Sequence, residues 1–457
     1  LCPFEFTPTL CVRAQMKMGK TKALSNYIDK NFNINSDVAP FSAVFISFRQ
    51  TFSSEIKAKF PEFTLYSDVE GSLKQSKLIV QVESLHRLQF NTPFDLLVMD
   101  ESEAIFEQFS SGLQNHHGKS WGVFQWLMEH SKHVVAMDAN LGARTYNMLK
   151  IMRPKQPIFY HCNVYQNDVG SNYHFTADKA EWLYILYHTL DNNERVVIPA
   201  SSLREAETIH KTISERYPKK RVGCYTSKTP LSEKRRHFSD VNTYWSTYDV
   251  LIYTPTVSAG VSFELAHYDT MFCYFIDKSC TVETCLQMMG RIRNIKTRNI
   301  HLCINSTFNN LPTTSDDIKR FMLNKRANLM HKFDDTFIRY EYDANGKISV
   351  CEDAYLTCWV ENQRIANLSR NKFASRFINY LRSYGGTIKK LDVVELTNAN
   401  PEQIAIDIGD IANEHKANKT GIVEKEASLI ANSRDITADE ADEIREQFKD
   451  LNSDNNA

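Results

Sequence analysis

The chain has 457 residues, with 54 Lys and Arg against 55 Asp and Glu, a formal net charge of −1, and 42% hydrophobic and 11% aromatic residues. Cores stop growing at about 250–300 residues, so this length excludes a single ordinary domain and calls for two or three. The even charge balance excludes a uniformly basic nucleic-acid coat, so any such contact must come from local clusters, and no apolar run approaches the roughly 20 residues of a membrane helix. The ten cysteines form no C-x-x-C pair and mostly sit inside apolar runs, which favours free buried thiols in a reducing compartment over zinc or disulfides. The chain begins with Leu1 and reaches its first motif almost at once, so a preceding segment is expected and targeting stays open.

In chain order, an apolar segment around Leu10-Cys11-Val12 leads into Ala14-Gln15-Met16-Lys17-Met18-Gly19-Lys20-Thr21, followed by a helix-like run from Lys22 to Ile28. A loop between strand and helix is what a phosphate site needs. Helix-start N–H groups face anionic oxygens, Lys20 reaches the β/γ-phosphates and Thr21 holds Mg²⁺. The G-x-x-x-x-G-K-[ST] form has Gly where Ala14 stands, and helicase loops of the form A-x-x-G-x-G-K-T have Gly where Lys17 stands. A Gly-Lys-Thr helix start that binds no nucleotide is the plain alternative.

The short apolar runs Ala43–Ile46, Leu78–Val80, Leu96–Met99 and Val134–Met137 suit strands buried on both faces of a parallel sheet. Asp100-Glu101-Ser102-Glu103 leaves the third of these at its C-terminal end, where open α/β sheets bind ligands. In a Walker B arrangement Asp100 holds Mg²⁺ through water and Glu101 orients or deprotonates the attacking water. A solvated acidic turn is the alternative. From Arg153 to Tyr173 Pro, Asn, Asp, Gly and Ser favour turns, which places a domain boundary there.

A second α/β series follows, with Val196–Ile198, Val250–Tyr253, Met271–Ile276 and Ile300–Ile304 as strands. Gln287-Met288-Met289-Gly290-Arg291-Ile292-Arg293-Asn294 lies after the third of them, offering arginines for charge developing on a γ-phosphate and Gln287 for positioning water. Beyond Asn310 the chain turns polar and helical. Phe373, Phe377, Tyr380, Leu381 and Tyr384 recur at helical spacing, interleaved with Arg370, Lys372, Arg376 and Arg382. A core face with snorkelling cations is preferred there over base stacking. Helix starts are expected at Asn400-Pro401-Glu402 and at Thr437-x-x-Glu440. The resulting division is a first domain over 1–155, a linker over 156–174, a second domain over 175–310, and a mainly helical region over 311–457.

Taken together these segments resemble superfamily 2 helicases and, within them, the herpesvirus-type replication origin-binding protein helicases. Ala14 to Thr21 resembles motif I, Asp100 to Glu103 a DExx-type motif II, and Met137-Asp138-Ala139-Asn140-Leu141-Gly142 motif III. Thr254-Pro255-Thr256-Val257-Ser258-Ala259-Gly260-Val261-Ser262 resembles motif V, and Gln287 to Asn294 motif VI. The match in order and spacing covers about residues 10–305. It implies an α/β fold of two tandem RecA-like (P-loop) domains with parallel sheets, followed by the mainly helical C-terminal region.

Carried onto this chain, the resemblance implies ATP and Mg²⁺ as ligands. Ala14, Gly19, Lys20 and Thr21 bind ATP, Thr21 and Asp100 hold Mg²⁺, and Glu101, Gln287, Arg291 and Arg293 act in catalysis. Arg49, Gln50, Ser84, Ser201 and Thr226 touch nucleic acid at post-strand positions, while Asp138, Asn140, Ser258 and Gly260 couple the two sites. Helicases that end motif VI as Q-x-x-G-R-x-x-R have Arg where Asn294 stands, so either Arg291 or Arg293 must act as the finger. The implied function is an ATP-dependent DNA helicase or translocase in DNA replication, intracellular, in the nucleus or wherever DNA is copied, with single-stranded DNA, origin duplex and other replication proteins as partners. Two readings stay open beside it: a nucleic-acid-binding protein with a degenerate ATP site, suggested by Ala14, Lys17 and Asn294, and an RNA helicase, since a motor gripping backbone distinguishes RNA only through the 2′-OH.

Overall fold

The computed structural model describes residues 6–16, 18–32, 41–89, 92–110, 116–257, 260–328, 338–342 and 348–433. The chain forms two compact units: unit 1 comprises Leu1–Asp168, Ala259–Val261 and Thr307–Tyr384, and unit 2 comprises Val169–Ser258, Ser262–Ser306 and Gly385–Ala457.

Unit 1 is laid down in order as β1 (Thr9–Arg13), α1 (Lys20–Asn31), β2 (Ala43–Ser47), α2 (Gln50–Lys59), β3 (Thr64–Leu65), β4 (Lys77–Gln81), β5 (Leu96–Asp100), α3 (Ser102–Gln108), α4 (His117–His130), β6 (His133–Asp138), α5 (Ala143–Met152) and β7 (Ile158–Cys162). Its seven strands run in the order β3-β4-β2-β5-β6-β1-β7, and every pairing is parallel. Strands β2 and β5 are buried along their whole length, which is why they read as unbroken apolar runs: helices cover both faces of a parallel sheet.

Unit 2 repeats the plan with β8 (Asn172–Thr176), α6 (Lys179–Asp191), β9 (Val196–Pro199), α7 (Leu203–Arg216), β10 (Val222–Tyr225), α8 (Leu231–Ser239), α9 (Val241–Trp245), β11 (Val250–Tyr253), β12 (Thr270–Ile276), α10 (Val282–Met289) and β13 (Asn299–Asn305). The chain then returns to unit 1 with α11 (Ser315–Asn328), the antiparallel pair β14 (Tyr340–Tyr342) and β15 (Ile348–Val350), α12 (Ala354–Asn371) and α13 (Phe373–Ser383). It re-enters unit 2 as β16 (Thr387–Lys390), α14 (Val393–Thr397) and α15 (Pro401–Ser433). The second sheet has the order β10-β11-β9-β12-β13-β8-β16, again with parallel pairings. Two seven-stranded parallel sheets with flanking helices are the tandem RecA-like architecture expected from the sequence.

Two features differ from the sequence reading. The turn-rich stretch before Tyr173 contains β7, which pairs with β1 as an edge strand; its Phe159 and Tyr160 are exposed, so it carries no buried run to mark it. The region after residue 310, read as one mainly helical region, divides between the two units. Tyr355, Leu356, Cys358 and Val360 of α12 enter the unit 1 core, and Tyr355 OH donates to the Phe109 carbonyl at 3.1 Å. The aromatic stripe of α13 is a packing face: Phe373, Phe377 and Leu381 are buried. In unit 2, α15 starts at Pro401 as expected and sends Ile404 and Ile411 into the core; the helix start expected at Thr437 lies outside the described residues.

One buried charge fixes α15 to α6 and α7. Glu205, in the first turn of α7, pairs with Lys179 at 3.2 Å, Lys419 at 3.0 Å and His415 Nε2 at 3.1 Å. Burial alone would raise its carboxyl, but the His415 hydrogen bond and the charges of Lys179, His415 and Lys419 outweigh burial and hold it well below the carboxylate range.

Candidate nucleotide site

The phosphate loop leaves β1 at Arg13, opposite Asp138 at the end of β6, and Asp100 at the end of β5 lies opposite Met137. The order β5-β6-β1 therefore brings Ala14–Thr21, Asp100-Glu101 and Asp138–Asn140 to one C-terminal sheet edge. Gly19 caps α1 in the left-handed region at φ 74° and, having no side chain, gives the first-turn amides no cap bond of its own. A Cβ there would meet nothing within 4 Å, so the demand for glycine comes from the backbone angle alone. Ala14 is fully buried, and its amide donates to the Asp138 carbonyl at 3.3 Å. A side chain larger than glycine is therefore accommodated at this position. Lys20 is buried and its Nζ donates to the Ala14 carbonyl at 2.9 Å, closing the loop on itself. Thr21 is half-buried in the first turn. Lys17 lies outside the described residues.

Asp100 and Glu101 are both buried. Glu101 adopts a left-handed backbone, φ 62° and ψ 53°. For a residue with a Cβ this is uncommon and costs about 1 kcal/mol or more, and such strain gathers at functional sites. The Asp100 carboxyl is pushed up to about 7, first by burial and then by the charge of Glu101, with Lys20 opposing. Burial, with Glu101 and then Glu103, also raises Asp138 well above its ordinary value against the Asn140 N–H and Lys20. The acids at this edge thus outnumber the local cation, and hard oxygen donors in such a cluster fit a divalent cation.

The sequence reading missed Glu103. Its Oε1 accepts from the Gly142 amide at 2.9 Å, the Thr145 amide at 3.3 Å and Thr145 Oγ1 at 2.7 Å, and its Oε2 accepts from Arg144 Nε at 2.8 Å. Its own amide donates to Asp138 Oδ2 at 3.0 Å. Asp138 Oδ1 accepts from the Asn140 amide at 2.7 Å. The fourth residue of the acidic motif is therefore the brace between motifs II and III. Arg144 extends the brace: it is 4% exposed, and its Nη1 donates to Asn362 Oδ1 of α12 at 2.6 Å. Asn362 Nδ2 in turn donates to the Phe106 carbonyl at 2.8 Å.

The residues expected to touch nucleic acid also lie at strand ends. Ser47 and Gln81 are register partners of β2 and β4, so Arg49 and Gln50 at the start of α2 and Ser84 in the turn after β4 leave neighbouring strands. Arg49 lies 5.7 Å from the Phe48 ring centroid. In unit 2, Ser201 and Thr226 follow β9 and β10 but are buried. Ser201 Oγ accepts from the Ile276 amide at 2.8 Å, tying its loop to the end of β12, and Thr226 Oγ1 accepts from the Lys228 amide at 3.2 Å within its own turn.

In motif VI, Thr281 caps α10 and Gln287 is buried in its last turns. Arg291 is buried, and its Nε donates to the Gln287 carbonyl at 3.1 Å; Arg293 Nε donates to Ser262 Oγ at 2.7 Å. The backbone joins motifs V and VI: the Phe263 amide donates to Arg291 and the Arg293 amide to Phe263, both at 2.9 Å. Gly260 holds φ 74°. Ser258 lies outside the described residues.

Residues 4–172 and 166–326 match the family described as origin of replication binding protein. The chain belongs to that family. Among family relatives it is similar to a putative helicase/primase complex protein of African swine fever virus, 38% identical over 450 residues, covering 98% of this chain and 41% of the relative. It is also similar to the replication origin-binding protein of Human herpesvirus 6A, 30% identical over 312 residues, covering 65% of this chain and 38% of the relative. The chain thus spans about two fifths of the length of these relatives. Its fold is that of Mss116p bound to ssRNA and AMP-PNP, with a TM-score of 0.52 and 11% identity over 93% of this chain and 78% of that one. S. cerevisiae Dbp5 bound to RNA and ADP BeF3 gives 0.51 and 12% over 88% and 89%. With this family and this fold the chain resembles the superfamily 2 helicases and, within them, the origin-binding proteins, as its motifs imply.

Proposed function

We propose that this chain is the ATP-hydrolysing motor of a replication helicase, coupling hydrolysis to movement on single-stranded DNA. The observation that carries this reading is the convergence of Lys20, Asp100 and Glu101 at one sheet edge, with buried acids there that the local cation does not balance. The uncapped first turn of α1 offers its amides to phosphate oxygens. Lys20 exchanges the Ala14 carbonyl for a phosphate oxygen, so the loop is held ready before substrate arrives. Thr21 and Asp100 would hold Mg²⁺, which supplies charge neutralisation to the phosphate oxygens when bound. Glu101 orients and deprotonates the attacking water, its position set by the left-handed turn after β5.

Arg291 and Arg293 supply charge to the transferred phosphoryl group, and Gln287 helps place the water. Arg49, Gln50 and Ser84 hold the nucleic-acid backbone without reading bases, which suits stepping along any sequence. The choice of DNA follows the relatives named for replication origins and for a helicase/primase complex. A strand-displacement assay tests the proposal: the purified chain releases a labelled strand from a tailed DNA duplex with ATP but not with a non-hydrolysable analogue. Release with both nucleotides, or with neither despite DNA binding, would favour the degenerate binding protein; release from RNA alone would favour the RNA helicase.

A further inference from the structure

The polypeptide passes from unit 1 into unit 2 after Asp168, after Val261 and after Tyr384, and the first and last of these exits lie side by side. The Asp168 amide donates to the Tyr384 carbonyl at 2.9 Å, and Gln166 Nε2 donates to the Ser383 carbonyl at 3.4 Å. A few residues on, the Thr387 amide donates to the Ser171 carbonyl at 2.9 Å, and the strands continue in parallel as β8 and β16. Between these rungs sit Gly170 at φ +88° and Gly385 at φ +94°, angles that side-chain-bearing residues rarely adopt. The two connections form a ribbon pinned at both ends, with a left-handed glycine in each strand.

The unit 1 end of this ribbon is bonded to two parts of the nucleotide site. Asn167 Nδ2 donates to the carbonyl of Met16 in the phosphate loop at 2.9 Å, and the Asn167 amide donates to Gln15 Oε1 at 3.3 Å. Tyr384 OH donates to Asn140 Oδ1 at 2.7 Å, and the Asn140 amide in turn holds Asp138. Tyr384 is buried, and burial keeps its phenol protonated and donating. Each connecting strand is therefore tied to a different motif.

We infer that Tyr384 and Asn167 are positioning residues that transmit the state of the phosphate loop and of the Asp138–Asn140 turn to the ribbon joining the units. The inference rests on the ATP-hydrolysis reading. Nucleotide bound against the loop acts on the Met16 and Gln15 partners of Asn167, and hydrogen bonds of this length are lost within about 0.5 Å of displacement. Glycine on both strands lets the backbone turn without a side-chain clash, as hinges require.

Tyr384→Phe tests this, because it deletes one oxygen and keeps the ring. The variant should melt with the wild type and keep its KM for ATP within about twofold, while its DNA-stimulated kcat falls about two- to tenfold, the factor one hydrogen bond supports. Asn140→Ala should show a loss of similar size, and the double variant should fall no lower than the worse single one, because both remove the same bond. In the wild type, ATP should change hydrogen exchange across Gly170–Tyr173 and Gly385–Ile388; in Tyr384→Phe that response should shrink. Wild-type kcat and exchange in Tyr384→Phe, or additive losses in the double variant, would overturn the inference while leaving the motor reading intact. A wild-type chain without hydrolysis sensitive to Lys20→Ala would instead overturn the motor reading itself.

Discussion

Replacing Arg144 with alanine should open the brace between motifs II and III. The guanidinium is buried and makes three bonds, from Nε to Glu103 Oε2 at 2.8 Å, from Nη2 to the Glu103 carbonyl at 2.6 Å, and from Nη1 to Asn362 Oδ1 at 2.6 Å. Removing one partner of a buried pair costs about 3–5 kcal/mol because the other charge is left uncompensated. Glu103 keeps three donors, from Gly142 and Thr145, which places the charge term near the low end, about 3 kcal/mol. The unpaired Asn362 oxygen adds about 1 kcal/mol, giving about 4 kcal/mol in all. Adding Glu103→Gln should restore part of the loss, because it removes the stranded charge. Hydrogen exchange of amides in β5 and β6 under native conditions reads unit 1 locally and avoids assuming that a two-unit chain unfolds in one step. A loss below about 1 kcal/mol, or no recovery in the double variant, would mean that Glu103 is not held by this pair.

Three further outcomes follow from the same geometry. The Asp100 carboxyl lies above its ordinary 3.8, at about 7, so the stability it contributes is full below the unfolded value and is lost as pH rises through about 7. Asp100→Asn should therefore stabilise the metal-free protein by about 2–4 kcal/mol at pH 8 and by little below pH 4; thermal melts across pH check this, and a gain independent of pH would contradict it. Glu205→Ala leaves Lys179, Lys419 and His415 without their shared carboxylate and should raise proteolysis and exchange in α15 before the rest of unit 2; unchanged protection of α15 would show that its apolar contacts suffice. Arg291→Ala and Arg293→Ala should lower ATP turnover unequally, by about 10³-fold or more for the finger; equal losses in single-turnover hydrolysis would deny either one that role.

The central strands were legible because both their faces are covered. Ala43–Ile46 and Leu96–Met99 have no polar side to interrupt the run, and the phosphate loop and acidic motif could be located from the strands they follow. Edge strands were harder to read: β3 is two residues long and β16 is Thr-Ile-Lys-Lys, mostly exposed. The brace at Glu103 was illegible for another reason. Its partners Arg144 and Thr145 lie in α5, after the next strand, and Asn362 lies in a helix that joins unit 1 only after the chain has built most of unit 2. Local spacing reports which residues share a loop, but not which side chain two loops share. The same limit hid Tyr384, which reads as the last position of an aromatic stripe and in the structure bonds to Asn140.

The measurement to make first is steady-state ATP hydrolysis by the purified chain, with and without single-stranded DNA, beside Lys20→Ala. Lys20 lowers both Asp100 and Asp138 through its charge, and it holds the Ala14–Thr21 loop at Ala14. The proposed function predicts hydrolysis that rises with single-stranded DNA and disappears in the variant. Hydrolysis that survives Lys20→Ala, or none in the wild type while DNA is still bound, would contradict a motor built on this site.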